Sequence, residues 1–320
     1  MKRKYDVTTF GEFLIDFTEQ GSSGAGQKLF ARNPGGAPVN VAVAVKRLGG
    51  ESAFIGKVGA DMHGDFLRSV LEAEKICTDG LISDPDFFTT LAFVSLSEGI
   101  PEYSFARKPG ADTQITKEEI NKALIEQSKI FHTGSLSLTA EPAREATLFA
   151  VGYAREKGCV ISYDPNYRAS LWQDEATAVK EMKSLIPYAD IIKLSDEEAE
   201  LITGEKEPEK ASASLLEQGV KIILVTMGEK GAYYASATSS GFAESVKTHA
   251  VDTTGAGDAF LGAFLRRAAL SEKRPEQLTS GELYDFTSFA NRAAALSVSK
   301  EGAIPSMPDI KDINEQFNIK

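Results

Sequence analysis

Six short β-branched or apolar runs, Tyr5–Phe10, Ser52–Lys57, Lys129–His132, Cys159–Tyr163, Ile191–Leu194 and Lys221–Met227, are separated by longer stretches with helical periodicity. Those stretches are Pro38–Leu48, Asp61–Glu74, Pro142–Lys157, Glu175–Tyr188, Asp196–Ile202 and Ala211–Gln218, and two Ala/Leu-rich segments, Asp258–Leu270 and Gly281–Lys300, close the chain. Strands joined through helices run parallel, and a parallel sheet is stable only with both faces covered. The alternation therefore predicts an α/β fold with a mainly parallel central sheet between helices.

Two regions break the rhythm. Residues 12–33 hold a short apolar strand, the turn-rich Gly21-Ser-Ser-Gly-Ala-Gly26 and then Leu29–Arg32. Residues 88–107 read as two strands, Thr89–Leu96 and Glu102–Ala106, joined by a Glu-Gly-Ile-Pro turn. Antiparallel pieces inserted into an α/β domain commonly cover its binding site. The expected organisation is one α/β domain over residues 1–320 carrying small β-strand lid segments at about 12–33 and 88–112. Two ordinary hairpins are the plainer alternative.

Charge narrows the partners. With 46 acidic and 35 basic side chains the net charge is −11, and no Lys/Arg block interrupts the excess, so a nucleic-acid footprint is not expected. Cys77 and Cys159 are far apart and outside any Cys/His cluster, which argues against a disulfide framework or a structural zinc site. The start, Met1-Lys-Arg-Lys-Tyr-Asp-Val, lacks the apolar region of a signal peptide, and no run approaches the ~18 apolar residues of a membrane span. The expectation is a cytoplasmic protein without nucleic-acid or membrane partners.

The usual nucleotide-binding motifs are absent: there is no G-x-x-x-x-G-K-[ST], and no G-x-G-x-x-G follows the first strand. Val251-Asp-Thr-Thr-Gly-Ala-Gly-Asp-Ala-Phe260 offers another device. Gly255-Ala256-Gly257 can turn tightly onto a helix N-terminus, where successive N–H groups and the helix dipole attract an anion. Asp258 at the same mouth would be kept ionised by the dipole and could accept a proton from an approaching hydroxyl. Base plus anion cradle suggests phosphoryl transfer; Asp258 merely capping the helix is the competing reading. A second cluster, Gly35-Gly-Ala-Pro-Val-Asn40, opens another helix, with Pro38 suited to its first turn and Asn40 offering the donor and acceptor a polyol needs.

Gly35-Gly-Ala-Pro-Val-Asn40 running on to Leu48-Gly-Gly50, together with Asp252-Thr-Thr-Gly-Ala-Gly-Asp258, resembles the paired signatures of the PfkB (ribokinase-like) carbohydrate kinases. The resemblance extends from Gly11-Glu-Phe-Leu-Ile-Asp16 to Gly302-Ala-Ile-Pro-Ser306. Phe54-Ile-Gly-Lys-Val-Gly59, Thr90-Leu-Ala-Phe-Val-Ser95, Phe131-His-Thr-Gly-Ser-Leu-Ser137 and Ser162-Tyr-Asp-Pro-Asn-Tyr-Arg168 are similar to the fructokinase branch. That likeness implies a ribokinase-like three-layer sandwich with a small β-strand lid. It also implies transfer of the ATP γ-phosphate to the 6-hydroxyl of D-fructose.

Carried over position by position, the resemblance implies Asp258 as general base, with Gly255, Ala256 and Gly257 as the anion hole. It implies sugar contacts from Asp16, Gly36 and Asn40, and from Arg107 and Arg168. An Asp16 carboxylate inside the apolar Phe13-Leu-Ile-Asp-Phe17 fits such a role, since burying it without partners is costly. ATP contacts are implied for Thr226, Gly228 and Gly231 in Thr226-Met-Gly-Glu-Lys-Gly231, and for Asn291. The family's Mg²⁺-linked N-x-x-E aligns with Ser195-Asp-Glu-Glu198, which retains Glu198 but carries Ser195 in place of asparagine. Asp252, Thr254, Ser297, Lys300, Gly302 and Ser306 match the loops where many members bind a monovalent cation, so K⁺ is implied as well. A homodimer through the lid is a further implication. The alternatives are a 2-keto-3-deoxygluconate kinase, a ribokinase or a nucleoside kinase of the same family, and more remotely a non-catalytic interaction module.

Overall fold

The computed structural model describes residues 3–97 and 100–317. In chain order its strands are β1 (Tyr5–Phe10), β2 (Leu14–Ser22), β3 (Lys28–Gly35), β4 (Ser52–Gly59), β5 (Cys77–Asp84), β6 (Leu91–Ser97), β7 (Ile100–Ala106), β8 (Ser128–Thr133), β9 (Val160–Tyr163), β10 (Ile191–Ser195), β11 (Ile222–Thr226), β12 (Gly231–Ser236) and β13 (Ser240–Glu244). The helices are α1 (Ala37–Arg47), α2 (Met62–Ala73), α3 (Lys122–Glu126), α4 (Ala143–Glu156), α5 (Glu175–Ser184), α6 (Asp196–Thr203), α7 (Pro208–Glu217), α8 (Ala256–Ser271), α9 (Ser280–Ser297) and α10 (Ile310–Phe317).

Nine strands form one sheet in the order β13-β12-β11-β10-β9-β8-β1-β4-β5. Pairing is parallel from β5 to β11, whereas β12 and β13 run antiparallel. Alternate side chains feed two cores, as the two-residue period of a strand demands. Ile191, Ile222 and Leu224 pack with α8 and α9, whereas Ile192, Ile223 and Val225 pack with α4, α6 and α7. The result is the helix–sheet–helix layering implied above.

The two irregular regions are not separate hairpins. β3, β2, β6 and β7 form one four-stranded sheet in that order, because β2 pairs with β6 in parallel as well as with β3 antiparallel. Of the turn expected between β6 and β7, residues 98 and 99 lie outside the described residues. Elsewhere the expected helix over Glu175–Tyr188 divides: α5 stops at Ser184, and a 3₁₀ turn at Ile186–Tyr188 takes Pro187 into its first turn. The helix expected from Gly281 to Lys300 ends at Ser297. Among the described residues, no helix is long and apolar enough to cross a membrane.

Candidate active site

The cleft forms where α1 and α8 start. The two helices pack closely because Gly262 has no side chain: a Cβ there would stand 2.5 Å from the Cβ of Ala44. At their N-terminal ends Asn40 Nδ2 donates to Asp258 Oδ2 at 2.8 Å, joining the two glycine-marked motifs across the molecule. Asn40 and Asp258 are both buried, and Asn40 Oδ1 has no hydrogen-bond partner among the described residues. An orphaned buried acceptor in a cleft wall is costly unless a ligand satisfies it.

The cradle itself is built by glycine stereochemistry. Gly255 is the N-cap residue of α8 with φ 79°, and a Cβ on it would press on Ala303 at 3.0 Å. Ala256 N–H donates to Thr253 O at 3.2 Å, while the N–H groups of Gly257 and Asp258 have no partner among the described residues. Asp258 stands at the third helical position and caps nothing, which removes the competing reading of this carboxylate.

Desolvation opposes the helix dipole that is expected to keep Asp258 ionised. Burial pushes its carboxyl up to about 7, against the hydrogen bond from Asn40 and the charges of Lys193 and Arg168; the charge of Asp164 adds to the rise. A base with a pKa near neutrality is well matched to taking a proton from a sugar hydroxyl.

A cleft of about 1030 Å³ opens above this point. Asp16, Gly36, Asn40, Arg168, Asp252, Thr254, Gly255, Asp258 and Gly302 all face it, so the structure brings together residues of both motifs and of the small sheet. Asp16 lies on β2, and burial raises its carboxyl to about 6, with Arg168 opposing. The Gly35–Gly36 pair is a close approach rather than a loose turn. A Cβ on Gly35 would stand 2.0 Å from Asp16 Oδ2, and one on Gly36 (φ 124°) would stand 2.5 Å from Glu12 O. Arg168 is exposed at the cleft, its guanidinium donating to Tyr167 O.

Other expected residues lie off the cleft wall. Arg107 is buried and committed: it binds the Asp112 carboxylate at 2.7 Å, Thr139 Oγ1 at 2.8 Å and Leu136 O at 2.9 Å. Leu136 is itself part of the wall, so Arg107 stands behind it. Thr226 ends β11 and donates to Leu194 O. Gly228 and Gly231 hold positive φ around the following turn, where a Cβ on Gly231 would meet Ala243 O at 2.2 Å. Asn291 ties α9 to β13 through Ala243 O and Glu244 O.

Glu198 accepts from Tyr167 N at 2.7 Å and from Ser195 N at 2.8 Å, while Ser195 caps α6 by accepting from Glu198 N. The serine that departs from the family pattern thus completes a capping box. Asp252 braces two loops, accepting from Thr254 N and Gly302 N at 2.9 Å each. Burial works against its charge, but these bonds outweigh it and hold the carboxyl below its ordinary range. Ser297 and Ser306 donate to Ala294 O and Ala303 O, and Lys300 points to Asp312 at 3.9 Å. Among the described residues no cluster of three His, Cys, Asp or Glu side chains forms a metal cage.

Three charged residues at the site escaped the sequence reading. Glu12 lines the cleft, accepts from Ala37 N at 3.0 Å, and burial pushes it up to about 7. Asp164 and Lys193 form a buried ion pair of 2.9 Å beneath the cradle. The available signal was a lysine inside the apolar Ile191-Ile-Lys-Leu194 and an acid two residues past the end of β1. A second cleft of about 720 Å³, lined by Arg3, Lys129 and Arg274, lies at the other end of the strands. In parallel sheets ligands bind beyond the carboxyl ends, where the Asp258 cleft is.

Comparison with known proteins agrees with this geometry. The profile of the "pfkB family carbohydrate kinase" matches residues 4–310. A "Probable fructokinase-2" from Arabidopsis thaliana is 43% identical over 306 residues, covering 94% of this chain and 92% of that protein. The crystal structure of a fructokinase with bound ATP from Xylella fastidiosa superposes with a TM-score of 0.89 at 30% identity, over 98% of this chain and all of the other (100%). A fructokinase from Vibrio cholerae O395, in a form with bound fructose, ADP and calcium ion, gives 0.88 at 30% identity over 97% of each chain.

Proposed function

As this chain belongs to the pfkB family of carbohydrate kinases, we propose that it is an ATP-dependent fructokinase in which Asp258 is the base and the 255–258 backbone receives the phosphoryl group. The observation that carries the reading is the Asn40–Asp258 pair, a desolvated carboxylate beside an orphaned acceptor at the mouth of a glycine-started helix. Relatives named as fructokinases at over 40% identity across nearly the whole chain, and neighbours with ATP, fructose and ADP bound, support the substrate pair.

In this reading fructose lies between the β2 end of the small sheet and the α1 N-terminus. Its hydroxyls are held by Asp16, Gly36 and Asn40, and Arg168 stands over the transferring phosphate. Asp258 takes the proton of the 6-hydroxyl as that oxygen attacks the γ-phosphorus and ADP leaves; the N–H groups at the start of α8 meet the charge on the equatorial oxygens. The small sheet acts as the lid that excludes water. Arg107 shapes the sugar pocket by holding Leu136 from behind. ATP would extend past the cradle toward Thr226, Gly228, Gly231 and Asn291.

Mg²⁺ would be held mainly by ATP phosphates and water, since both oxygens of Glu198 already accept backbone N–H groups; bound there, it neutralises phosphate charge. Asp252 keeps lone pairs free between the two loops it joins, and carboxylate oxygen is a donor that suits K⁺. Replacing K⁺ by tetramethylammonium should lower kcat, and an unchanged rate would remove the monovalent ion from the scheme. A cytoplasmic setting is part of this proposal and rests on the sequence features given above, not on the relatives.

The function is tested with a panel of fructose, 2-keto-3-deoxygluconate, ribose and a nucleoside, reading kcat/KM in ADP release. Fructose should exceed each of the others by at least about tenfold. A higher value for another sugar would move the chain to a different branch, and no sugar-dependent ADP release would refute catalysis altogether.

A further inference from the structure

Lys193 is the third residue of β10, a strand buried within the nine-stranded sheet, and only 7% of it is exposed. Its ammonium lies against the first turn of α8: a Cβ on Gly257 would stand 2.8 Å from Lys193 Nζ and 3.4 Å from its Cε. The missing side chain of Gly257 is therefore the space the lysine occupies. The helix terminus itself does not favour this arrangement. A buried cation loses its hydration, and the N-terminus of a helix, being positive, is the wrong end for it.

The charge is held there deliberately by acids on neighbouring elements. Asp164, on the segment leaving β9, accepts from Lys193 Nζ at 2.9 Å and is itself buried. Burial works against the Lys193 charge, but Asp164, Glu198 and Asp258 raise its pKa above the ordinary lysine value, so the ammonium stays protonated. The same acids hold the segment bearing the phosphate arginine: Asp164 Oδ1 accepts from Asn166 N, and Glu198 accepts from Tyr167 N.

We propose that Lys193, anchored by Asp164 under Gly257, is the positioning cation of the phosphoryl cradle, adding fixed positive charge to an anion hole that the helix terminus alone fills only in part. It acts through the cradle backbone and Asp258 without standing in the cleft wall. The inference rests on the reading of residues 255–258 as the phosphoryl site. It differs from a purely structural ion pair in one respect. A structural pair can be replaced by two neutral side chains of similar volume with little loss, whereas a cradle needs the charge.

The experiment compares Lys193→Met and the double variant Asp164→Asn/Lys193→Met with the unaltered protein. It measures kcat, the KM for fructose, and the affinities for ADP and for ADP with aluminium fluoride in the presence of fructose. For both variants kcat should fall by about 100-fold and the aluminium fluoride complex should weaken by a similar factor, while ADP affinity and fructose KM stay within about threefold. Return of the double variant to within about threefold of the original kcat would overturn the proposal, as would equal weakening of ADP with and without aluminium fluoride. If Lys193→Met alone fails to fold, the double variant, which removes both charges of the ion pair, decides the question by the same two readouts. Loss of turnover in Asp258→Ala with none in Lys193→Met would overturn the role of Lys193 alone. An unaltered protein with no fructose-dependent ADP release would instead overturn the reading of the site.

Discussion

The nine-stranded sheet is covered by helices on both faces, and the residues it aims at the cleft are braced from several sides. Asp258 is held by Asn40, Gly255 is packed on Ala303, and Asp252 laces two loops together. In the four-stranded sheet, Leu29, Phe30 and Phe93 remain exposed, and the Asp16 carboxylate accepts no hydrogen bond among the described residues. One wall of the cleft is preorganised and the other is built to be completed by something else. On the proposed function, the difference gives chemistry to the large sheet and recognition to the small one, because catalytic geometry tolerates little displacement whereas a recognition surface gains by closing on its ligand.

The division breaks or holds first at Asp258. Asp258→Ala should lower kcat by about 10³-fold or more while KM for fructose and ATP changes by less than about fivefold. Turnover above about a tenth of the original would remove Asp258 as base. The pH profile gives an independent check with a definite sign. The base must be deprotonated to work, and burial raises its carboxyl to about 7, so kcat should decline as pH falls through that region. An acidic limb at the ordinary aspartate value near 3.8 would contradict the desolvated site seen here.

On the small sheet the same kind of substitution should act on binding. Asp16→Ala removes a carboxylate proposed to accept sugar hydroxyls, and each such bond to a charged group is worth roughly 1.5–3 kcal/mol. Fructose KM should rise by about 10- to 100-fold with kcat reduced by less than about tenfold, as measured at saturating ATP. A fall in kcat as deep as that of Asp258→Ala, with KM unchanged, would erase the distinction between the two walls.

The contrast also governs what the sequence discloses. The central strands announce themselves because both faces are apolar: Tyr5–Phe10 is found with the same bounds, and Ile191–Leu194 and Lys221–Met227 within a residue. β5 is missed because Thr78-Asp79-Gly80 interrupts its apolar pattern at the sheet edge. β12 and β13 blend with a turn rich in glycine and serine. The parallel β2–β6 pairing joins segments far apart in the chain, so no local signal separates one four-stranded sheet from two hairpins. At the site, Gly255–Asp258 and Gly35–Asn40 were legible because backbone-determined cradles require glycine and a helix start. Glu12, Asp164 and Lys193 were not, since a single charged residue acquires meaning only from the burial and partners that folding gives it.

The smallest effect tests what completes the exposed wall. Phe17 stacks on Phe93 at 5.2 Å, and Phe30 meets Phe93 edge-on at 6.0 Å, leaving an aromatic surface on the small sheet. We propose that a second copy of the chain covers it, which would also protect the open strand edges. Phe30→Ser/Phe93→Ser adds two hydroxyls to that surface while leaving the cleft lining intact. Aromatic contacts of this kind contribute about 0.5–1.5 kcal/mol each, so the double substitution should weaken self-association by about 10- to 100-fold. Sedimentation equilibrium should show a dimer becoming a monomer, with kcat within about twofold and fructose KM raised by less than about fivefold. A protein that is monomeric before substitution at micromolar concentration, or a dimer untouched by it, would place the partner elsewhere. Unaltered KM in a demonstrated monomer would show that the small sheet recognises sugar without help from its neighbour.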